Sequence, residues 1–341
     1  MRLLSFNFFR SSPFSISIAF ALGVCGLAVS ACNGPASTFA PVNGAAQHPA
    51  HYGVLPTPTP IPFNFQTVDD PVSTHNQVNG INNLSKIVGT YGAGQGSNIL
   101  QSYTSASPYV KFLGLNDPGA QGTVATTLSN TKVQAGYVIV PSGLSGTWGF
   151  VRVNGLWSLL SDPNEGTGAD AVTEILGIND KGFAVGFYVN SSGNKVAIEI
   201  NYANSTYTEI HPPGAVDAEA TGINGRGFIT GWYTNVNGNT QSFYLQGGTY
   251  YPFSYPGAEA TYANSLNTQE QVVGYYTDTQ QAIHGFLLTG PAKGGAKQIW
   301  QKIDEKNAAS GTWVTGINSH DDICGYYIDA SGTQHGFVAV P

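Results

Sequence analysis

The residues of this chain best equipped for chemistry are carboxylates, and they gather in one kind of place. Among 20 Asp and Glu, Asp69, Asp70, Asp117, Asp162, Asp217, Glu219, Glu259 and Asp304 occupy segments that lead into a recurring Asn-ending strand, or their immediate approach. Asp278 and Asp329 sit in polar hairpins, and His75 lies close to the first pair. Carboxylates grouped with a His can hold a cation, move protons, or accept hydrogen bonds from a polar ligand. The same grouping also arises when surface loops simply collect charge for solubility. No Gly-x-Ser-x-Gly elbow, His-Glu-x-x-His, Walker loop or fully spaced calcium loop occurs in the chain. Hence the sequence designates no catalytic residue and no cofactor. Calcium is the cation such acidic loops would hold.

These carboxylates are positioned by a repeat. Gly80-Ile-Asn82 precedes Val88-Gly-Thr-Tyr91, Gly177-Ile-Asn179 precedes Val185-Gly-Phe-Tyr188, Gly222-Ile-Asn224 precedes Thr230-Gly-Trp-Tyr233, and Gly316-Ile-Asn318 precedes Cys324-Gly-Tyr-Tyr327. Weaker copies are Leu128-Ser-Asn130 with Ala135-Gly-Tyr137, and Leu266-Asn267 with Val273-Gly-Tyr-Tyr276. Successive Asn positions are 48, 49, 45, 43 and 51 residues apart, a period that signals propeller blades. Each unit continues through a Gly/Asn hairpin, a third apolar strand and a short fourth one. The recurring Asn residues are expected to be turn formers that bond nearby backbone. A ring of free amides around the channel is the functional alternative. The expected fold is all-β, a six-bladed β-propeller of four-stranded antiparallel blades.

Chain ends indicate how the ring closes. The last unit stops after its third strand, near Phe337 to Val340, whereas an orphan fourth-strand pattern, Phe63 to Val68, precedes the first unit. The N-terminal strand is therefore expected to complete the last blade, protecting edges that would otherwise be open. By loop geometry, the segments between units and the hairpins after each second strand emerge on one face. Lys86, Lys132, Lys181 and Arg226 belong to the opposite turns.

Residues 1–31 read as a lipoprotein signal peptide, with Arg2 and Arg10 ahead of an apolar stretch and a lipobox-like Val29-Ser-Ala-Cys32. Cys32 would carry the lipid, residues 32–62 a Pro-rich tether, and residues 63–341 the propeller. That places the protein outside the cytoplasm, lipid-anchored at the outer membrane or cell surface, with plain secretion as the alternative. Loss of Arg2 and Arg10 with the signal would move the net charge from −7 to −9. An acidic chain disfavours nucleic acid as a partner. Cys324 fills a slot held by Val or Thr in most other units and is expected to be a buried, unpaired thiol.

Gly-Ile-Asn, Val-Gly-Tyr-Tyr and the triplets His284-Gly-Phe286 and His335-Gly-Phe337 together resemble the HAF-type extracellular repeat family over residues 63–341. Here Gly replaces the family's central Ala, and the other four units lack the His. The resemblance implies an exported bacterial repeat protein and carries no catalytic activity with it. His284 and His335, recurring in two units, are expected to be structural. The expected function is a tethered, monomeric, non-catalytic interaction module for a glycan, cell-wall material or an envelope protein. Trp148, Trp157, Trp232, Trp300 and Trp313 are candidates for stacking on sugars. The alternative is a six-bladed lyase, lactonase or glycosidase with an acidic channel mouth.

Overall fold

The structure is a computed structural model, and it describes residues 60–71, 73–92, 100–140, 146–168, 171–290 and 298–341. The expected leader, Cys32 and the expected tether up to residue 59 lie outside the described residues. Among the described residues the first strand is β1 (Asn64–Val68), and blade 1 follows as β2 (Asn76–Ile81), β3 (Lys86–Gly92), β4 (Leu100–Ala106) and β5 (Leu113–Gly114). Blade 2 is β6 (Gly122–Leu128), β7 (Gln134–Ile139), β8 (Thr147–Val153) and β9 (Leu156–Leu160). Blade 3 is β10 (Thr173–Ile178), β11 (Phe183–Val189), β12 (Lys195–Asn201) and β13 (Thr206–Ile210). Blade 4 is β14 (Ala215–Ile223), β15 (Ile229–Asn235), β16 (Thr240–Gln246) and β17 (Thr249–Phe253). Blade 5 is β18 (Ala260–Leu266), β19 (Val272–Thr277), β20 (Ile283–Thr289) and β21 (Ile299–Ile303). Blade 6 is β22 (Gly311–Ile317), β23 (Ile323–Ile328) and β24 (Gln334–Val340), completed by β1.

Every sheet is antiparallel, and the first strand of each blade contacts the first strands of both neighbours, so these six strands surround the axis. The clasp is as expected: Asn64 pairs with Val340, Phe65 with Ala339 and Val68 with Gly336. Ile61 is docked as well, exchanging two hydrogen bonds with the Gln301 side chain of blade 5. Apolar cores lie between successive blades. One of them joins Val68, Cys324 and Val338 of blade 6 to Val78, Ile87 and Tyr103 of blade 1. Burial of such layers, rather than any single contact, holds the ring closed.

Glycine in the second strand answers a backbone demand inside each blade. Each first strand carries a bulge, for instance between Val78 and Gly80 or between Ile175 and Gly177. Two residues before the bulge, a first-strand carbonyl faces the second-strand glycine. A Cβ on Gly186 would lie 1.8 Å from the Glu174 carbonyl oxygen, and one on Gly325 1.9 Å from that of Trp313. Close approach between blades involves the first-strand Gly80, Gly177 and Gly222, and the third-strand Gly149, Gly285 and Gly336, where a Cβ would meet Ile175, Val314 and Val78 of the following blade.

At the opposite end of the axis, the Asn side chains turn out to have two roles. Each Oδ1 accepts from its own turn, as Asn224 does from Arg226 N and Phe228 N. Each Nδ2 reaches across to the next blade: Asn82 donates to Ser129 O, Asn179 to Asn224 O, Asn224 to Asn267 O, Asn267 to Asn318 O and Asn318 to Asn82 O. The amides are thus engaged on both ends rather than free for a ligand. One correction concerns blade 2, where Ser129, not Asn130, fills the repeated slot. Its hydroxyl accepts from Thr131 N and Val133 N but is too short to reach blade 3. Asn130 stands one residue further on and makes that crossing through Asp180, at 2.8 Å and 2.7 Å.

The bulge residues form a second circle. Asn79, Thr126, Thr221, Asn264 and Thr315 each donate to a carbonyl of the following blade, at 2.7–2.8 Å, while Leu176 takes the sixth place. The two circles line a cavity of about 120 Å³ at this end of the channel.

Candidate functional site

The connection face is where strands enter each blade and where second and third strands are joined by hairpins. Asp69 and Asp70 lie between β1 and β2, Asp117 between β5 and β6, Asp162 between β9 and β10, and Asp304 between β21 and β22. Asp278 and Asp329 lie in hairpins of blades 5 and 6, Glu259 lies just before β18, and His75 just before β2. Asp217 and Glu219, expected in a loop or its approach, lie inside β14, which starts early and runs for nine residues.

These groups do not converge on one point. Asp117 and Asp162 each tie a chain corner, accepting from Gly119 N and Asn164 N. The corner backbones are in turn bonded by Thr123 and Thr173. Burial pushes the Asp162 carboxyl upward, opposed by the Asn164 amide. In blade 6, His335 bridges two carboxylates, with Nδ1 2.6 Å from Asp69 and Nε2 3.3 Å from Asp329. Blade 5 repeats this, His284 lying 3.0 Å from Asp304 and 3.5 Å from Asp278. Each imidazole thus ties a hairpin to an inter-blade connection, the structural role expected of both. His75 is exposed and contacts Thr74. Among the described residues no group of three or more His, Cys, Asp or Glu could hold a metal ion.

The symmetry breaks elsewhere, in a belt around the upper channel. Each blade contributes one cross-strand pair from its two inner strands: Gln77 with Thr90, Val124 with Tyr137, Glu174 with Phe187, Glu219 with Trp232, Tyr262 with Tyr275, and Trp313 with Tyr326. From blade 4 to blade 6 the belt is aromatic. Tyr262 stacks on Tyr275 at 4.6 Å, Trp313 on Tyr326 at 4.9 Å, and Trp232 meets Tyr262 edge-on at 5.3 Å across the blade boundary. Blades 3 and 4 contribute Glu174 and Glu219. Lys195, the first residue of β12, reaches Glu219 at 2.5 Å, with its ammonium 4.7 Å from the Phe187 ring and 5.7 Å from Trp232.

Electrostatics single out the acidic part. Glu174 is largely enclosed by protein. Its burial, reinforced by the neighbouring Glu219 charge, pushes the carboxyl up to about 7, with Lys195 and the Thr147 hydroxyl opposing. Burial also raises Glu219, against the pull of Lys195. Burial disfavours the Lys195 ammonium, but Glu219 outweighs it and keeps the lysine charged. Burial raises the Tyr137 and Tyr275 phenols far above their ordinary range, so both remain neutral donors.

The five Trp divide. Trp148 and Trp157 pack on the core between blades 1 and 2, and Trp300 on that of blades 4 and 5, whereas Trp232 and Trp313 belong to the belt. The belt as a unit was missed in the sequence. Aligning the residue that follows each second-strand Gly would have shown it, since Thr90, Tyr137, Phe187, Trp232, Tyr275 and Tyr326 change where the Gly does not.

No protein-family model matches the chain, and no curated protein matches it. Among solved structures, a protein of unknown function from Dyadobacter fermentans is 10% identical, with a TM-score of 0.53 over 84% of this chain and 99% of its own. AofleA from Arthrobotrys oligospora is 11% identical over 81% and 86%, with a TM-score of 0.49. The Aleuria aurantia lectin, described as a six-bladed β-propeller with a novel fucose recognition mode, is 11% identical over 81% and 98%, with a TM-score of 0.44. At 10% identity, what the Dyadobacter fermentans protein shares with this chain is the fold alone. The chain is a six-bladed β-propeller.

Proposed function

We propose that the protein is a non-catalytic binding propeller of the bacterial envelope, held by lipid on Cys32 and a Pro-rich tether, that takes a glycan at the belt. The observation carrying this reading is the aromatic arc of Trp232, Tyr262, Tyr275, Trp313 and Tyr326 beside the carboxylates Glu174 and Glu219. A sugar ring has an apolar face that suits an aromatic surface and hydroxyls that need acceptors and donors. A concave, mostly apolar lining with a few polar groups is how small-ligand sites are built. The rim carboxylates, by contrast, are occupied in tying corners and hairpins, and they serve the scaffold.

The test is a glycan array probed with the processed protein, followed by calorimetric titration of the best glycan. Trp313→Ala and Trp232→Ala should each abolish binding, while Asp117→Asn at a distant corner leaves it unchanged. Retention of no glycan, or binding indifferent to both tryptophans, overturns the reading. One observation favours hydrolysis as a second reading: Glu174 retains a proton near neutrality beside Glu219, and an acid with a carboxylate is the equipment of glycoside cleavage. Release of reducing ends from the bound glycan, lost in Glu174→Gln, would establish it.

A further inference from the structure

We infer that the groove between blades 3 and 4 is a receptor for a primary ammonium group, and that Lys195 is its resident, displaceable occupant. This rests on the belt being the ligand site and names the chemistry recognised at its acidic end. The Lys195 ammonium lies in a cage of the kind that binds amines: a carboxylate at 2.5 Å, the Phe187 face at 4.7 Å and the Trp232 ring at 5.7 Å. Its side chain is nonetheless 40% exposed, and its backbone N–H is fixed to Asp217 at 2.8 Å. The backbone is therefore anchored while part of the side chain is open to solvent.

The fold has no need of a lysine here. The equivalent first residues of the other third strands are Leu100, Thr147, Thr240, Ile283 and Gln334, so the blade tolerates almost any side chain. Nor does the belt need Glu219, whose counterparts in the other blades include Gln77, Val124 and Tyr262. Asp217 and Glu174 act on the same ammonium and add to the pull of Glu219. Room exists for the lysine to withdraw into. A cavity of about 60 Å³ adjoins it, lined by Lys195 itself with Val196, His211, Pro212, Val216 and Ala218. An amino sugar or another protonated amine would place its nitrogen against Glu219 and its body along Trp232 and Tyr262.

Lys195→Met, which keeps the stem and removes the charge, provides the test. Emptied of its resident, the groove should bind methylammonium saturably, read as a rise in melting temperature and a change in tryptophan fluorescence. Affinity should exceed that of the wild type by roughly tenfold or more. Potassium chloride at equal concentration should produce neither effect. Lys195→Met with Glu219→Gln should lose the response. A Lys195→Met protein that answers methylammonium and potassium alike, or answers neither, overturns the inference. As a second measurement on wild-type protein, an oligomer of glucosamine should bind roughly tenfold more tightly than its N-acetylated counterpart, and equal affinities would also overturn it. Glycan binding that depends on Trp313 but is indifferent to the amine would sink this inference while leaving the binding propeller intact.

Discussion

Glu174→Gln should make the protein more stable at pH 8 and leave it almost unchanged at pH 4.5. The carboxyl is crowded by protein and faces a second carboxylate, so its ionised form is disfavoured in the folded state. Its folded pKa, about 7, lies above the ordinary 4.5. The unfolded chain therefore releases this proton at lower pH than the folded chain. Stability from this group is complete below pH 4.5 and is lost as pH rises through about 7. At about 1.4 kcal/mol per pKa unit, the ionised form costs on the order of 3 kcal/mol, an upper limit because channel water will relieve part of it. Glutamine keeps the shape and the Oε1 that accepts from Thr147 at 3.3 Å, but it never ionises. For a domain of this size, 3 kcal/mol corresponds to a rise of roughly 5–10 °C in melting temperature. Thermal melts of both proteins from pH 4.5 to 8.5 measure the difference directly. A constant offset across that range, or a loss of stability at pH 8, would refute the electrostatic account of the belt.

Further outcomes follow from other parts of the ring. Deleting residues 33–70 removes β1 and should lower the melting temperature far more than deleting 33–60; equal values would mean that the clasp is dispensable. Cys324→Val or Cys324→Ala should cost roughly 0–1.5 kcal/mol by denaturant titration, whereas Cys324→Asp should prevent folding because it buries an uncompensated charge. The thiol itself, pushed up to about 12 by burial, should resist alkylation in the native protein. Gly186→Ala should cost about 3 kcal/mol or more, since its Cβ would fall 1.8 Å from a carbonyl oxygen. His335 is opposed by burial, but Asp69 and Asp329 together raise its pKa above the ordinary 6.5. Its contribution should be complete below pH 6.5 and lost as pH rises through that raised value. His335→Gln should therefore show its deficit in acid and lose most of it at pH 9.

The architecture was legible because backbone geometry, rather than surface chemistry, enforces the repeated phrase. Gly89, Gly136, Gly186, Gly231, Gly274 and Gly325 recur because a first-strand carbonyl leaves no room for a Cβ at any of them. Asn82, Asn179, Asn224, Asn267 and Asn318 recur because one side chain must both close a turn and reach the next blade. Where that second duty lapses, at Ser129, the alignment slips by a residue and Asn130 takes on the look of the missing member. The site was less legible for the opposite reason. Belt positions run from Gln77 to Trp313 with no shared chemistry, and adjacent residues such as Phe187 and Tyr188 point to different sides of a strand. Composition cannot separate them. Likewise Glu219 reads as one more loop acid until β14 is seen to begin at Ala215. His284 and His335 stood out by their triplets, yet their carboxylate partners come from a connection and a hairpin that no local pattern joins.

The central claim, that the ligand rests on the belt rather than on the loops or the turn face, is tested most directly by a crystal structure with the array-selected glycan bound. The account predicts a sugar ring within about 4 Å of the Trp313 or Trp232 ring, in ordinary contact distance, with a hydroxyl or amine on Glu219 or Glu174. A glycan seated instead at the outer blade surface around Leu156 and Leu159, or in the Asn-lined cavity at the turn face, would contradict it.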